Sequence, residues 1–145
     1  MRVVIQKVNE ASVEVDEKLI SKIDKGLLVL VGIKANDSLD QCDHLINKIL
    51  NLRIFEDENF KMNKSILDLN LEILLVSQFT LYADCKKGNR PSFINAMPPV
   101  QAKEFYKNFV DKFKQKYPKI EDGVFGAYMK VNLINDGPVT IILDS

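Results

Sequence analysis

Hydrophobic and polar positions alternate in two registers along the chain, and the change between them predicts the elements. Residues 2–8 are apolar enough for a strand. Ala11, Val13 and Val15 then alternate with Ser12, Glu14 and Asp16, the period of a half-buried strand. Polar residues 16–18 predict a turn into a strand at Leu19–Ile23. Gly26 opens LLVLVGI, a near-continuous apolar run of strand length that predicts a central strand.

From Ser38, a suitable helix N-cap, the spacing changes to the helical one: Leu39, Cys42, Leu45, Ile46, Ile49 and Leu50 form one stripe. Residues 53–68 are polar and irregular, with KMNKS reading as a turn or short edge. Leu71–Val76 is a second buried strand. A long connection follows over 83–97, and its RPSF string, with an aromatic to bury, predicts order. Pro98 and Pro99 suit the first turn of a helix. Ala102, Phe105, Tyr106, Phe109, Phe113 and Tyr117 then make an aromatic stripe, ended by Pro118 and read as core. The alternation Phe125, Ala127, Met129, Val131, Leu133 predicts a long strand, and Val139–Leu143 the last one. Strands outnumber helices, so the expectation is one α+β domain over residues 1–145. It would be a mostly antiparallel or mixed, barrel-like sheet with two main helices packed on it.

Composition narrows the class. The chain has 145 residues, 46% of them hydrophobic, with no apolar stretch long enough for a transmembrane helix. MRVVIQKV lacks the h-region of a secretion signal, and Cys42 and Cys85 fit no metal or disulfide spacing, which together predict a cytoplasmic location. Net charge is zero, yet residues 86–119 hold nine basic and two acidic side chains. That asymmetry fits a solvated helix face, or a surface that meets an anion such as an RNA backbone.

The catalytic menu is short. The sole histidine, His44, lies off the apolar stripe among Asp40, Gln41 and Lys48, and reads as a solvated surface residue. No histidine is placed to serve a nucleophile, no ligand cluster suggests a metal, and no phosphate-binding glycine string calls for a nucleotide cofactor. Two strings remain: SQFT at Ser77–Thr80, where a buried strand meets a loop, and NDGPVT at Asn135–Thr140, between two apolar runs. Hydroxyls, an amide side chain and backbone N–H groups can stabilise an oxyanion, but they do not readily deprotonate water. The substrate would have to supply its own base or hydroxyl.

SQFTLYAD at 77–84 and NDGPVT at 135–140 resemble the two signature motifs of the D-aminoacyl-tRNA deacylases. ASVEV, GLLVLVGI, LRIFED, KMNKS and GNRPSF extend the likeness along essentially the whole chain. The resemblance implies hydrolysis of the ester between a D-amino acid and the 3′-terminal adenosine of tRNA, a proofreading step of translation, without a cofactor or metal. It implies a homodimer in which the Gly137–Pro138 step, cis in the family, enters the partner's pocket. X-Pro bonds are cis in only ~5–6% of cases, so sequence alone would predict trans.

Carried over by position, Thr80 and the amide of Phe79 would polarise the ester or place water. Gln78 would bond the adenosine or the ester, and Ser77 would fix the loop. Gly137 and Pro138 would reject the L side chain, which leaves glycyl-tRNA as a substrate. The Phe79 side chain is expected to fill core, and Met129 either lines the pocket floor or packs. Assistance from the ribose 2′-hydroxyl ranks above Thr80 as a covalent nucleophile. Lys7 stands where family members more often carry Arg, and Asn89 where Met is common. A module that binds the tRNA end without cutting it, and an esterase for free D-amino-acid esters, are the competing readings.

Overall fold

A computed structural model describes residues 1–145. The first strand, β1 (Arg2–Val15), is one long element that organises the sheet. Along one edge its N-terminal half pairs with β3 (Gly26–Gly32) and its C-terminal half with β2 (Lys18–Ile23), both antiparallel. Its other edge carries the last strand, β8 (Lys130–Asp144), over almost its full length. Beyond β3 lie β6 (Glu72–Ser77) and the short β7 (Ile120–Asp122), both parallel to their neighbours. The sheet is therefore mixed, and it curls until β2 approaches β6 and β7 from the far side. This is the expected α+β domain with a nearly closed, barrel-like sheet.

Parallel neighbours need crossovers, and the chain supplies them as helical segments. Between β3 and β6 run α1 (Cys42–Leu50), a small hairpin of β4 (Phe55–Glu56) and β5 (Met62–Lys64), and α2 (Ile66–Leu69). Between β6 and β7 runs α3 (Pro99–Lys116). Every residue of the α1 stripe from Cys42 to Leu50 is buried, as is the α3 stripe of Ala102, Phe105, Tyr106, Phe109 and Phe113. Apart from Ala102, they form the main core with Leu27, Val29 and Ile73 of the sheet. A smaller core, including Val8, Leu28 and Leu74, fills the opposite face inside the curl. β3 and β6 are thus buried on both faces, which is why they read as unbroken apolar runs.

Several sequence expectations change. Residues 2–8 and 11–15 are one strand, bent by register shifts opposite β8. The strand expected from Phe125 starts only at Lys130: residues 124–129 form a turn, closed by the Ala127 amide on the Val124 carbonyl at 3.2 Å, with Gly126 at φ +78°. NDGPVT does not separate two strands but is a bulge within β8. Two further elements, α2 and β7, were not foreseen. α2 starts from a reciprocal cap in which Asp68 N–H donates to Ser65 Oγ while Ser65 N–H donates to Asp68 Oδ2.

Candidate functional site

The apolar face of β6 ends at Ser77, opposite Val31 in the parallel ladder. The Gln78 amide donates to the Val31 carbonyl at 2.8 Å, so the sheet fixes the backbone up to that residue. There the chain leaves extended geometry for a 3₁₀ turn, Phe79–Tyr82. The first N–H groups of such a turn lack internal acceptors. Those of Phe79 and Thr80 donate to no carbonyl elsewhere in the chain. The Gln78 side chain bends forward, and its Nε2 donates to Thr80 Oγ1. With its lone pair so engaged, the Thr80 hydroxyl has its own proton free to donate.

The turn is held from behind. Arg2 donates from Nε and Nη2 to the two carboxylate oxygens of Asp144, at 2.8 and 3.1 Å, and from Nη1 to the Leu81 carbonyl at 3.4 Å. Its guanidinium also lies 5.6 Å from the centre of the Tyr82 ring. The pairing lowers the Asp144 pKa, through the hydrogen bond first, and burial pushes the Tyr82 hydroxyl up to about 12. First strand, last strand and site turn are thereby joined by one side chain.

In front of the turn lies a cavity of about 600 Å³. Ser77, Gln78 and Phe79 form one side. The segment 93–99 forms another, and Phe125–Met129 a third. Not one lining residue is an Asp, Glu, Lys, Arg or His. The Phe79 ring corrects the core role expected for it: it is 57% exposed and meets Phe93 edge-to-face at 4.9 Å across the cavity wall. The site turn faces outward, so its ring has only the opposite loop to pack against. Met129 both lines the cavity and packs against the smaller core. Thr80 is not part of the wall; it stands beside it, tied to Gln78.

Gly137 and Pro138 lie elsewhere. Thr140 pairs with Gln6 and Asn135 with Val8, so four residues of β8 bulge out opposite Lys7 alone. The Asn135 side-chain amide closes the neck, donating to the Lys7 carbonyl at 2.9 Å and the Val139 carbonyl at 3.2 Å. The Lys7 ammonium, its side chain 7% exposed, holds Asp136 at 3.2 Å. Within the bulge the Gly137–Pro138 bond is cis, and Gly137 has φ +121°, where an added Cβ would sit 2.8 Å from Val139 Cγ2. The bulge does not line this chain's own cavity.

His44 is exposed on α1, away from the cavity. No group of three or more His, Cys, Asp or Glu side chains is placed to hold a metal ion. Sequence reasoning missed the two remaining walls, 93–99 and 125–128; the aromatic in RPSF was the one signal of the first.

The D-Tyr-tRNA(Tyr) deacylase family matches residues 4–144 of the chain. A D-aminoacyl-tRNA deacylase of Thermosipho melanesiensis is 57% identical over 146 residues, covering 100% of this chain and 97% of its own. The solved structure of a c-Myc DNA Unwinding Element Binding Protein superposes with a TM-score of 0.95 at 49% identity, covering 100% of this chain and 99% of that one. Another solved structure, of a probable eukaryotic D-amino acid tRNA deacylase, shares the fold with a TM-score of 0.86 at 17% identity, covering 99% and 98%.

Proposed function

This chain belongs to the D-Tyr-tRNA(Tyr) deacylase family, and from that premise we propose that it sorts aminoacyl esters by hand, cleaving the D and glycyl forms and refusing the L form. Its activity class is the family's: a hydrolase of the ester bond in D-aminoacyl-tRNA, acting in translation proofreading.

The observation that carries the reading is a cavity without a charged side chain, bordered by an amide–hydroxyl pair and by uncommitted backbone N–H groups. Such a wall supplies oxyanion donors and no base. The ester carbonyl is received by the amides of Phe79 and Thr80, with the Thr80 hydroxyl oriented by Gln78. Ser77 fixes the start of the turn. The ribose 2′-hydroxyl at the substrate's own end assists the attack of water. In an uncharged site each donor is worth about 2.7–4 kcal/mol of transition-state stabilisation.

Gly137 and Pro138 act in trans. They protrude on an ordered bulge that leaves their own cavity untouched. β8 has one unpaired edge along its length and exposes Ile134 and Ile142, which fits a second copy of the chain docking there. From the partner, backbone carbonyls of the bulge take the substrate ammonium. The L side chain then points into the Gly-Pro wall, and the D side chain points outward. The working form is a cytoplasmic homodimer.

Incubating the purified protein with D- and L-tyrosyl-tRNA tests the proposal. Loss of the D ester alone supports it. Binding without cleavage would leave a nucleic-acid-binding module, a reading in keeping with the structural neighbour named for a DNA unwinding element. Cleavage of free D-tyrosyl esters with no response to salt would leave a small esterase.

A further inference from the structure

The nine cations of segment 86–119 divide sharply by partner. Lys107 pairs with Asp111 at 2.7 Å and Lys114 with Asp122, while Lys112 and Lys116 share Asp43 at 3.0 and 2.9 Å. Lys119 donates to the Asn70 carbonyl at 2.7 Å. All five stand on the body of α3 or just beyond it, and structural pairing accounts for them.

Lys86, Lys87, Arg90 and Lys103 have no such partner: none takes part in any ion pair or side-chain hydrogen bond of the chain. All four are exposed. For the three before Pro91 the nearest carboxylate in sequence, Asp84, turns instead to the backbone, accepting the Lys86 amide at 2.9 Å, and Lys103 makes no ion pair with its neighbour Glu104.

Three of these four share one location. Lys86, Lys87 and Arg90 lie on a loop closed by reciprocal backbone bonds between Asp84 and Ser92, at 2.7 and 2.9 Å. The next residue, Phe93, is cavity wall. The segment behind it is anchored by the Met97 amide on the Ile33 carbonyl at 2.9 Å and the Ala35 amide on the Asn95 carbonyl at 3.1 Å. Arg90 is three residues from Phe93, so the chain allows a Cα separation of at most about 11 Å. The fourth, Lys103, lies on α3 and lines a separate groove with Glu104, Lys107 and Asp122. The cavity rim that Phe93 continues into exposes apolar groups: Ile94 at 83%, Tyr128 at 89% and the Phe79 ring. Unpaired cations beside exposed aromatic and aliphatic faces are what a single-stranded nucleic acid requires, phosphates on one and bases on the other.

We propose that the loop Asp84–Ser92, with Lys86, Lys87 and Arg90, grips the phosphodiester backbone of the unpaired RNA strand leading into the site. The inference rests on the ester-hydrolase reading and extends it. The cavity takes the terminal aminoacyl nucleotide, and the loop takes the phosphates of the nucleotides before it. A loop anchored at both ends presents its charges at a fixed place, so they both attract the strand and set its direction of approach. Chirality is read in the cavity and RNA outside it, by different residues.

The test compares wild type with the triple variant K86Q/K87Q/R90Q on two substrates that share one scissile bond, D-tyrosyl-tRNA and D-tyrosyl-adenosine. For the tRNA the variant is expected to show a KM raised about tenfold or more at moderate salt, with kcat retained at saturation. Its log–log dependence of kcat/KM on salt should be shallower by about two, three contacts at ~0.7 each for a single strand. The adenosine ester should be cleaved alike by both proteins. The charge-preserving variant K86R/K87R/R90K should keep the wild-type salt slope. An unchanged slope in the triple glutamine variant, or an equal loss on both substrates, would overturn the proposal. If wild type left both D-tyrosyl-tRNA and D-tyrosyl-adenosine intact, the hydrolase reading itself would fall, whatever the loop does.

Discussion

At the scale of single residues the site works through geometry, because no side chain in its wall can act as a base at neutral pH. Gln78 and Thr80 matter as an oriented pair: one nitrogen donor fixes one hydroxyl, which then has a single proton to offer. Thr80→Val keeps the shape and removes the hydroxyl. We expect it to lower kcat on D-tyrosyl-tRNA by about 10²–10³, the loss typical of one oxyanion donor, while Thr80→Ser retains most of the rate. A Thr80→Val enzyme with wild-type kcat would remove Thr80 from the chemistry. The pH–rate profile is a second check. No Asp, Glu, Lys, Arg or His stands in the cavity wall, and burial raises the Tyr82 hydroxyl of the site turn to about 12. The profile of kcat/KM should therefore show no enzymic inflection between about pH 4.5 and 8. A bell with a limb near ~6.5 would reveal a histidine base that the site does not contain.

At the scale of elements, legibility followed length and periodicity. β3, β6 and the stripes of α1 and α3 were readable because each repeats its period several times over a buried face. α2 and β7 were not, since four and three residues are too few to show a period. Residues 125–129 misled in an instructive way. Their exposure does alternate, half-buried at Phe125, Ala127 and Met129 and exposed between, but all five line a cavity and the backbone is a turn, which side-chain pattern alone cannot distinguish from a strand. Likewise NDGPVT reads as a break because Gly and Pro interrupt most strands. Here β8 continues past them, held in register by β1 and by Asn135 at the neck. The same bulge sets a prediction. Lys7 is buried and holds Asp136, so Lys7→Met leaves that carboxylate uncompensated. Asp136 is about a third exposed, so the cost should be about 1–3 kcal/mol, below the 3–5 of a fully buried pair. Thermal unfolding should show that loss together with a fall in kcat, whereas Lys7→Arg should preserve both. Wild-type stability and rate in the Met variant would detach Lys7 from the bulge.

At the scale of the molecule, the strings that carried the family resemblance fall on two different surfaces. SQFT borders the cavity and NDGPVT projects from the sheet edge, so one copy presents a site and, separately, a wall. Sequence could announce the first half of the site through a strand that ends in polar residues. Beyond the aromatic of RPSF it could not announce Ile94 or Phe125, which reach the cavity only after the β3–β6 crossover and α3 are packed. Nor could it tell which of nine nearby cations are already paired. That distinction arises from where α1 and β7 place Asp43 and Asp122, and it separates scaffold from RNA-facing charge.

The most direct measurement of sorting by a main-chain wall uses the smallest side chain that has handedness. Deacylation rates should be taken side by side for D-alanyl-, glycyl- and L-alanyl-tRNA sharing one tRNA body. Rejection by a wall predicts that the D-alanyl and glycyl esters are cut at comparable rates and that a single L methyl group slows the reaction by at least about a hundredfold, the upper range for one methylene-sized difference. Cleavage of the L-alanyl ester at the glycyl rate, or an inert glycyl ester beside an active D-alanyl one, would contradict it.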